Sequence, residues 1–528
     1  MATKKPKSKN SSLNHLVFWP PFLLLIGAAI LNFALPDQFA KITNAANDWV
    51  LTNFGWLFTI VAFLAVMLSV FILFSPMAKI RLGGPDAKPL MHMWNWFAIT
   101  VCTTIAVGIL LWATAEPIWH FTSPPKSKGI DPNSPAAASF AMSTMYLHWT
   151  FTPYAIYAVA SLMFAFSYYN MKKPYSLGSP LTPLLGDQVT SKIGNVIDAI
   201  CLYSLVAGMA ASLGGGILVL AGGLDHLVGI DGKSAVVRAI IAGVVIASFV
   251  ISSATGLMKG IRILSSANTY ALFGLAVFVL LFGPTVFILS FGLESFGVYL
   301  TNFFEMNLFA DALNAVEANP DEKPWTHSWT IFYWAVWLAW TPITACFLGQ
   351  IAYGRTVREF MLVNFIFPSL FGALWMAIFS GTALHLEMTT DVNLAEIVTD
   401  PTAGEEQATY AVFEHLPLSV GLAVFYICST FICFVTSADS NTTAMAAISS
   451  SGISPDNPEG GLAIKIAWGV TVGLVAWVMI SFAEINGIKI LSTLGGFPAA
   501  ILVLLVIASL AKVAIQPEKY DALGESEK

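Results

Sequence analysis

The chain has 528 residues, of which 56% are hydrophobic and only 11% charged, with a formal net charge of -6 and a mean hydropathy of +0.73. Soluble domains carry about 25% charged residues, so this chain has too little polar surface to cover a soluble enzyme of its length. The composition implies an all-α polytopic membrane protein.

The first twelve residues, MATKKPKSKNSS, are basic and polar. No small-residue cleavage site follows the first apolar run, so 17–35 reads as a retained first span rather than a signal peptide. Lys4, Lys5, Lys7 and Lys9 favour a cytoplasmic N-terminus. A span needs roughly 20 apolar residues. Runs of that length fall at 17–35, 50–74, 94–115, 138–168, 193–222, 235–255, 267–292, 326–349, 358–382, 417–449, 462–482 and 488–513, twelve in all. With the N-terminus inside, the loops after even-numbered spans include "SPMAKIRLGGPDAK", "YYNMKKPYS", "LMKGIRI" and "AYGRTVREF", all carrying Lys or Arg. The opposite loops, 294–324 and 386–416, are acidic; the latter holds Glu387, Asp391, Glu396, Asp400, Glu405, Glu406 and Glu414 and no Lys or Arg. This asymmetry is the positive-inside pattern, and the loop 450–461, with Asp456 and Glu459, is its weak case.

Several positions invite a role. The third span carries a polar, β-branched centre at Cys102, Thr103 and Thr104, read either as an ordinary packed helix or as the lining of a cavity. Glu116 closes that span beside Pro117, at the expected interface. Asp439, in "FVTSADSNTT" of the tenth span, is either a functional charge or a structural polar knot. The eighth span, "WTIFYWAVWLAW" from Trp329 with Pro342 just beyond, crowds four tryptophans into twelve residues. Core packing, an interfacial belt and a cage for a cation compete to explain it. The five cysteines lie in apolar runs without paired spacing and read as reduced core residues. His120, His148, His327 and His385 show no metal-ligand spacing, no nucleophile elbow occurs, and an enzyme is not expected.

"RLGGPDAKP", "WATAEP", "HWTFTPYAIYA", "GLMKGIRILSSAN", "WTIFYWAVWLAWTP" with "GRTVREF", and "FVTSADS", in this order between about residues 79 and 450, resemble the betaine/choline/carnitine transporter family. The resemblance implies a LeuT-like fold in which two inverted five-helix repeats, 94–292 and 326–513, follow two leading helices at 17–93. The segments 1–16, 293–325 and 514–528 are then an N-terminal tail, an outer loop and a short C-terminal tail. It further implies a homotrimer in the inner (plasma) membrane, both termini cytoplasmic, in contact with lipid and with no nucleic-acid partner. Its cargo would be a small zwitterion moved by alternating access, with sodium as the coupling ion and no other cofactor.

Position by position, the resemblance makes Trp149, Tyr154 and Tyr157 of the fourth span and Trp337 of the eighth a cage for a quaternary ammonium. Trp340 is a second cage residue toward the cytoplasm, and Trp334 a further candidate. A quaternary ammonium has no N–H to donate, so ring faces hold it, each contact contributing roughly 0.5–2 kcal/mol. Trp149 and Tyr157 stand eight residues apart, close to one helical face, with Tyr154 three before Tyr157. Thr103 and Thr104, with local amides, would take the anionic end. Thr436 and Ser437, with carbonyls near Cys102 and Ile105, would hold sodium; a fixed cation at Arg262 is the alternative to it. Tyr154 stands where the family usually has Trp, and Val336 replaces a usual aromatic. Two of three expected glycines are lost between Thr104 and Gly108, and two arginines usual before Gly354 are absent. Choline-type members tend to have Asp where this chain has Gly108, so a zwitterion is expected over choline. The short tail of mixed charge predicts weak osmotic activation.

Overall fold

At membrane depth no water is present to take backbone N–H and C=O groups, and a helix satisfies them within one segment. The apolar runs accordingly fold as helices. The computed structural model describes residues 12–104, 106–254, 258–313, 323–400, 404–453 and 460–523 and, within these, all side chains except those of 102, 103, 106, 107, 253, 254, 258–265 and 482. In chain order the principal helices are α1 (His15–Ala34), α2 (Pro36–Phe74), α3 (Met93–Thr104), α4 (Ala106–Thr122), α5 (Pro135–Trp149), α6 (Phe151–Tyr169), α7 (Lys192–Val228), α8 (Ala235–Ala254), α9 (Met258–Phe282), α10 (Thr285–Thr301), α11 (Thr330–Ile351), α12 (Val357–Thr389), α13 (Ser419–Ile448), α14 (Leu462–Ser481) and α15 (Ala483–Ile515). Among the described residues, ten helical stretches are long and apolar enough to cross a membrane, or eleven if the bent pair α9–α10 counts as one. The chain is a polytopic all-α membrane protein.

Three spans differ from the pattern expected of them, and one expected boundary is marked by an irregular residue. The fourth is not one helix: Thr150 (φ -123, ψ -118) separates α5 from α6. Pro153 has no N–H to return to the Trp149 carbonyl four residues earlier, so the ladder opens there. The expected seventh span, 267–292, runs across Gly283 and Pro284, where the chain turns by 109° from α9 into α10. The eighth, by contrast, passes through Pro342 without a break; its irregular residue is Trp329 (φ -128, ψ -87), just before α11. Glu484, at φ 47, separates α14 from α15.

Cross-loop contacts sort the segments onto two ends of the bundle. At one end the Leu82 N–H donates to the Arg355 carbonyl and the Gly354 N–H to the Leu82 carbonyl, both at 2.9 Å. The Asn170 amide donates to the Arg81 carbonyl at 3.1 Å, and the Ala522 N–H to the Asn170 carbonyl at 3.1 Å. The basic loops after α2, α6 and α11 therefore meet one another and residues 521–522. At the other end Ser127 bonds Asp311 at 2.5 Å, Lys128 pairs with Glu305, and Lys323 pairs with Asp48 at 2.7 Å. This is the alternation an even number of crossings between basic loops requires.

Burial separates inner from outer helices. α6 and α11 are buried on almost every side, as is most of α7. α8 instead presents Val236, Ile240, Val244 and Ile251 outward, each at least half exposed, an apolar stripe suited to lipid contact. Cys201, Cys346 and Cys433 are buried, whereas Cys428 lies on an exposed face of α13 and is not a core residue.

Candidate functional site

α6 and α11 pack side by side, and their rings meet around Trp337. Its ring centroid lies 5.8 Å from that of Trp149, 5.5 Å from Tyr154 and 5.0 Å from Tyr157, at interplanar angles of 74°, 64° and 60°. All four rings are buried. Edge-to-face contacts of this kind are favourable, and because they are mutual, a cation can reach the ring faces only if the rings part. The convergence does not come from simple helical spacing. Trp149 is the last residue of α5, while Tyr154 and Tyr157 belong to α6, so the rings reach Trp337 from two helices separated by the break at Thr150. The bare Cα of Gly372 on α12 packs against the Trp149 carbonyl freed at that break. Gly108 of α4 supports the ring itself: a Cβ there would stand 2.8 Å from Cη2 of Trp149.

Behind the cage lies a buried carboxylate. Glu116 was expected at the interface, but it is completely buried. Its Oε2 accepts from the Trp149 indole N–H at 2.8 Å and from the Tyr333 hydroxyl at 2.5 Å. Its Oε1 faces His148 Nδ1 at 2.6 Å and His120 Nε2 at 3.0 Å. A carboxylate only accepts, so both rings donate to it; His148 Nε2 is then left to accept from the Thr330 hydroxyl at 3.0 Å. Four donors satisfy the charge, the condition under which a buried carboxylate is tolerated. His120 and His148 lie 28 residues apart in sequence, so spacing gave no sign of their meeting. Glu116, His120 and His148 bring their ligand-type atoms within 4.8 Å of one another, a spacing compatible with a metal ion. Those same atoms are engaged with each other, so the arrangement serves as a hydrogen-bonded brace joining α4, α5 and α11. The signal available in sequence was Glu116 and His120 at i and i+4 on one helix face.

The remaining candidates divide. Thr104 donates to the Thr100 carbonyl at 2.8 Å and lies within hydrogen-bonding reach of the Tyr154 hydroxyl, beside the cage. Trp334 is fully buried and faces His148, 5.9 Å between centroids, on the side of the carboxylate network. Trp340 donates its indole N–H to the Gly208 carbonyl at 2.9 Å and lines a small separate cavity with Phe434, Ser437 and Thr442. On α13, Thr436 donates to the Ile432 carbonyl at 2.8 Å, and Ser437 accepts from Asn441 at 3.1 Å. Asp439 pairs with Lys465 at 2.6 Å, tying α13 to α14, which favours the structural reading of that charge. The side chains of Cys102, Thr103 and Arg262, and Ile105 entirely, lie outside the described residues.

A family model described as betaine/carnitine/choline family transporter matches residues 16–519. The glycine betaine transporter OpuD of Bacillus subtilis is 31% identical over 501 residues, 94% of each chain. The ectoine/hydroxyectoine transporter of Virgibacillus pantothenticus is 30% identical over 509 residues, covering 96% of this chain and 98% of its own. The osmo-dependent choline transporter BetT2 of Acinetobacter baylyi is 29% identical over 522 residues, 97% of this chain and 74% of its own. Since the match leaves out only the two extremities, the chain belongs to the betaine/carnitine/choline transporter family, and the ring cluster sits inside a membrane transporter rather than an enzyme.

Proposed function

We propose that the chain is a secondary active transporter importing a quaternary ammonium or sulfonium zwitterion of the glycine betaine, carnitine, ectoine or dimethylsulfoniopropionate type, by alternating access and in symport with sodium. The observation that carries the reading is the contact of Trp149, Tyr154 and Tyr157 with Trp337 between two inner helices. Three or four ring faces supply on the order of 2–6 kcal/mol to an alkylated cation, enough to hold a solute that must also leave.

The anion in the neighbourhood argues for a zwitterion over choline. Glu116 is the carboxylate beside the cage, and its oxygens are already taken by four donors. A bare cation finds no free partner there among the described residues. A zwitterion brings its own carboxylate, for which the buried, unpartnered indole N–H of Trp337 is an available donor. The printed substrates of the relatives, glycine betaine and ectoine, fit this cargo. α3 packs against α13, which supports a sodium site between the third span and the hydroxyls of Thr436 and Ser437. We further place the protein as a homotrimer in the plasma membrane, its basic end and both termini in the cytoplasm.

Uptake of a panel of labelled zwitterions into proteoliposomes tests the reading. Accumulation of glycine betaine or ectoine that collapses when sodium is replaced by potassium is expected, and Trp337→Leu should abolish it. Uptake equal in both salts would point to exchange instead of symport. Choline preferred tenfold over every zwitterion, or fluorescence quenching by leucine in place of glycine betaine, would overturn the substrate class.

A further inference from the structure

The aromatic cluster does not end at the cage. From Trp149 the ring contacts continue to Tyr333 (5.2 Å between centroids), from Tyr333 to Trp112 (6.2 Å) and from Trp112 to Trp329 (5.9 Å). An unbroken ladder of rings thus joins the cage to the end of the bundle that carries the acidic loops. On its last rung lies a charge of the protein's own. The Lys489 ammonium, near the start of α15, sits 4.7 Å from the Trp329 ring centroid and 5.5 Å from that of Phe332. Among the described residues no carboxylate is within ion-pair distance of it and no oxygen accepts its N–H groups. Glu405 and Glu116 act on it only through space. A partly buried ammonium held by ring faces alone is uncommon, because a nearby carboxylate usually completes such a site.

We propose that Lys489 is a specificity-determining residue at the mouth of the transport route: its ammonium receives the carboxylate of an incoming zwitterion while the adjoining ring faces take the alkylated cation, and it turns away an onium cation that lacks a carboxylate. The two halves of the device match the two ends of the solute. The surrounding acidic loops attract anything with a positive end; the fixed ammonium then selects among those solutes by their other end. Its seat on Trp329 and Phe332 also keeps a bare cation from using those faces, since two cations cannot share them. The inference rests on the zwitterion reading above.

The test compares wild type, Lys489→Met and Lys489→Arg in proteoliposomes, measuring glycine betaine uptake and its inhibition by choline. Lys489→Met is expected to raise KM for glycine betaine at least fivefold with little change in maximal rate, and to make choline at least tenfold more potent as a competitor relative to betaine. Lys489→Arg, which keeps the charge on the rings, should remain within twofold of wild type on both measures. Lys489→Gln is a second neutral variant should the Met protein not purify as a single species. A betaine-to-choline ratio within twofold of wild type in the neutral variant would overturn the proposal while leaving the transporter reading intact. A wild type that prefers choline would overturn it as well. A wild type that takes up no solute of the panel would overturn the substrate reading and this inference together.

Discussion

Trp149 is oriented by a residue outside the ring cluster. Its indole N–H ends on Glu116, and the same carboxylate holds Tyr333 on α11 and two histidines. Glu116→Gln keeps the shape but turns one acceptor into a donor facing donors, and each buried donor left without a partner costs about 1–3 kcal/mol. Apparent affinity for glycine betaine, followed by tryptophan fluorescence, should fall tenfold or more in this variant, about 1.4 kcal/mol. Binding retained within twofold would show that the carboxylate does not set the ring. The rings that meet around Trp337 were nameable from the motif "HWTFTPYAIYA" and the eighth-span tryptophans. The brace behind them was not, because His148 and Tyr333 reach Glu116 from two other helices.

The fourth span shows how an element departs from its apolar pattern. Hydropathy sees one run from 138 to 168, yet the chain breaks at Thr150 because Pro153 cannot close the ladder. Helical spacing alone would place Trp149 and Tyr157 on one stripe; the break instead divides them between two helices. Gly372 clamps that break, since any Cβ there would collide with the Trp149 backbone carbonyl. Overpacking against backbone, which cannot swing aside, costs about 1–3 kcal/mol. Gly372→Ala should therefore lower the thermal midpoint of the purified protein and reduce uptake severalfold together. An unchanged midpoint with unchanged uptake would remove α12 as the clamp. Pro342 teaches the converse: a proline inside an expected span did not break it, and α11, buried along nearly its whole length, runs on through it.

At the scale of the molecule, the two ends differ in charge and in contacts. The basic loops bind one another, and at the other end Asp48, Glu305 and Asp311 engage Lys323, Lys128 and Ser127. In the acidic loop before α13, Glu406 is buried, 5% exposed, and burial pushes its carboxyl up to about 7. A carboxyl raised above its unfolded value destabilises the native state once ionised. The penalty sets in above the ordinary carboxylate range and is complete above about 7, so stability falls as pH rises through that window. The thermal midpoint of wild type should be lower at pH 8 than at pH 5.5, and Glu406→Gln should narrow that gap. An equal gap in both proteins would assign the pH dependence to another group.

Composition and the lengths of apolar runs settled on their own that this chain crosses a membrane repeatedly as helices, since satisfying every peptide group in hydrocarbon leaves only helices or closed barrels, and apolar runs of about 20 residues suit a helix where a barrel strand takes about ten. Loop charge already distinguished the two sides, and the ordered motifs pointed to the family that the comparison then showed. Tertiary structure alone decided where the helices bend, which rings meet, that Glu116 is an interior brace, and that Lys489 rests on Trp329 and Phe332. Those features depend on contacts between residues far apart in the chain, and a one-dimensional pattern of apolar and polar residues does not encode which distant neighbour will supply a donor, a ring face or the space left by a missing Cβ.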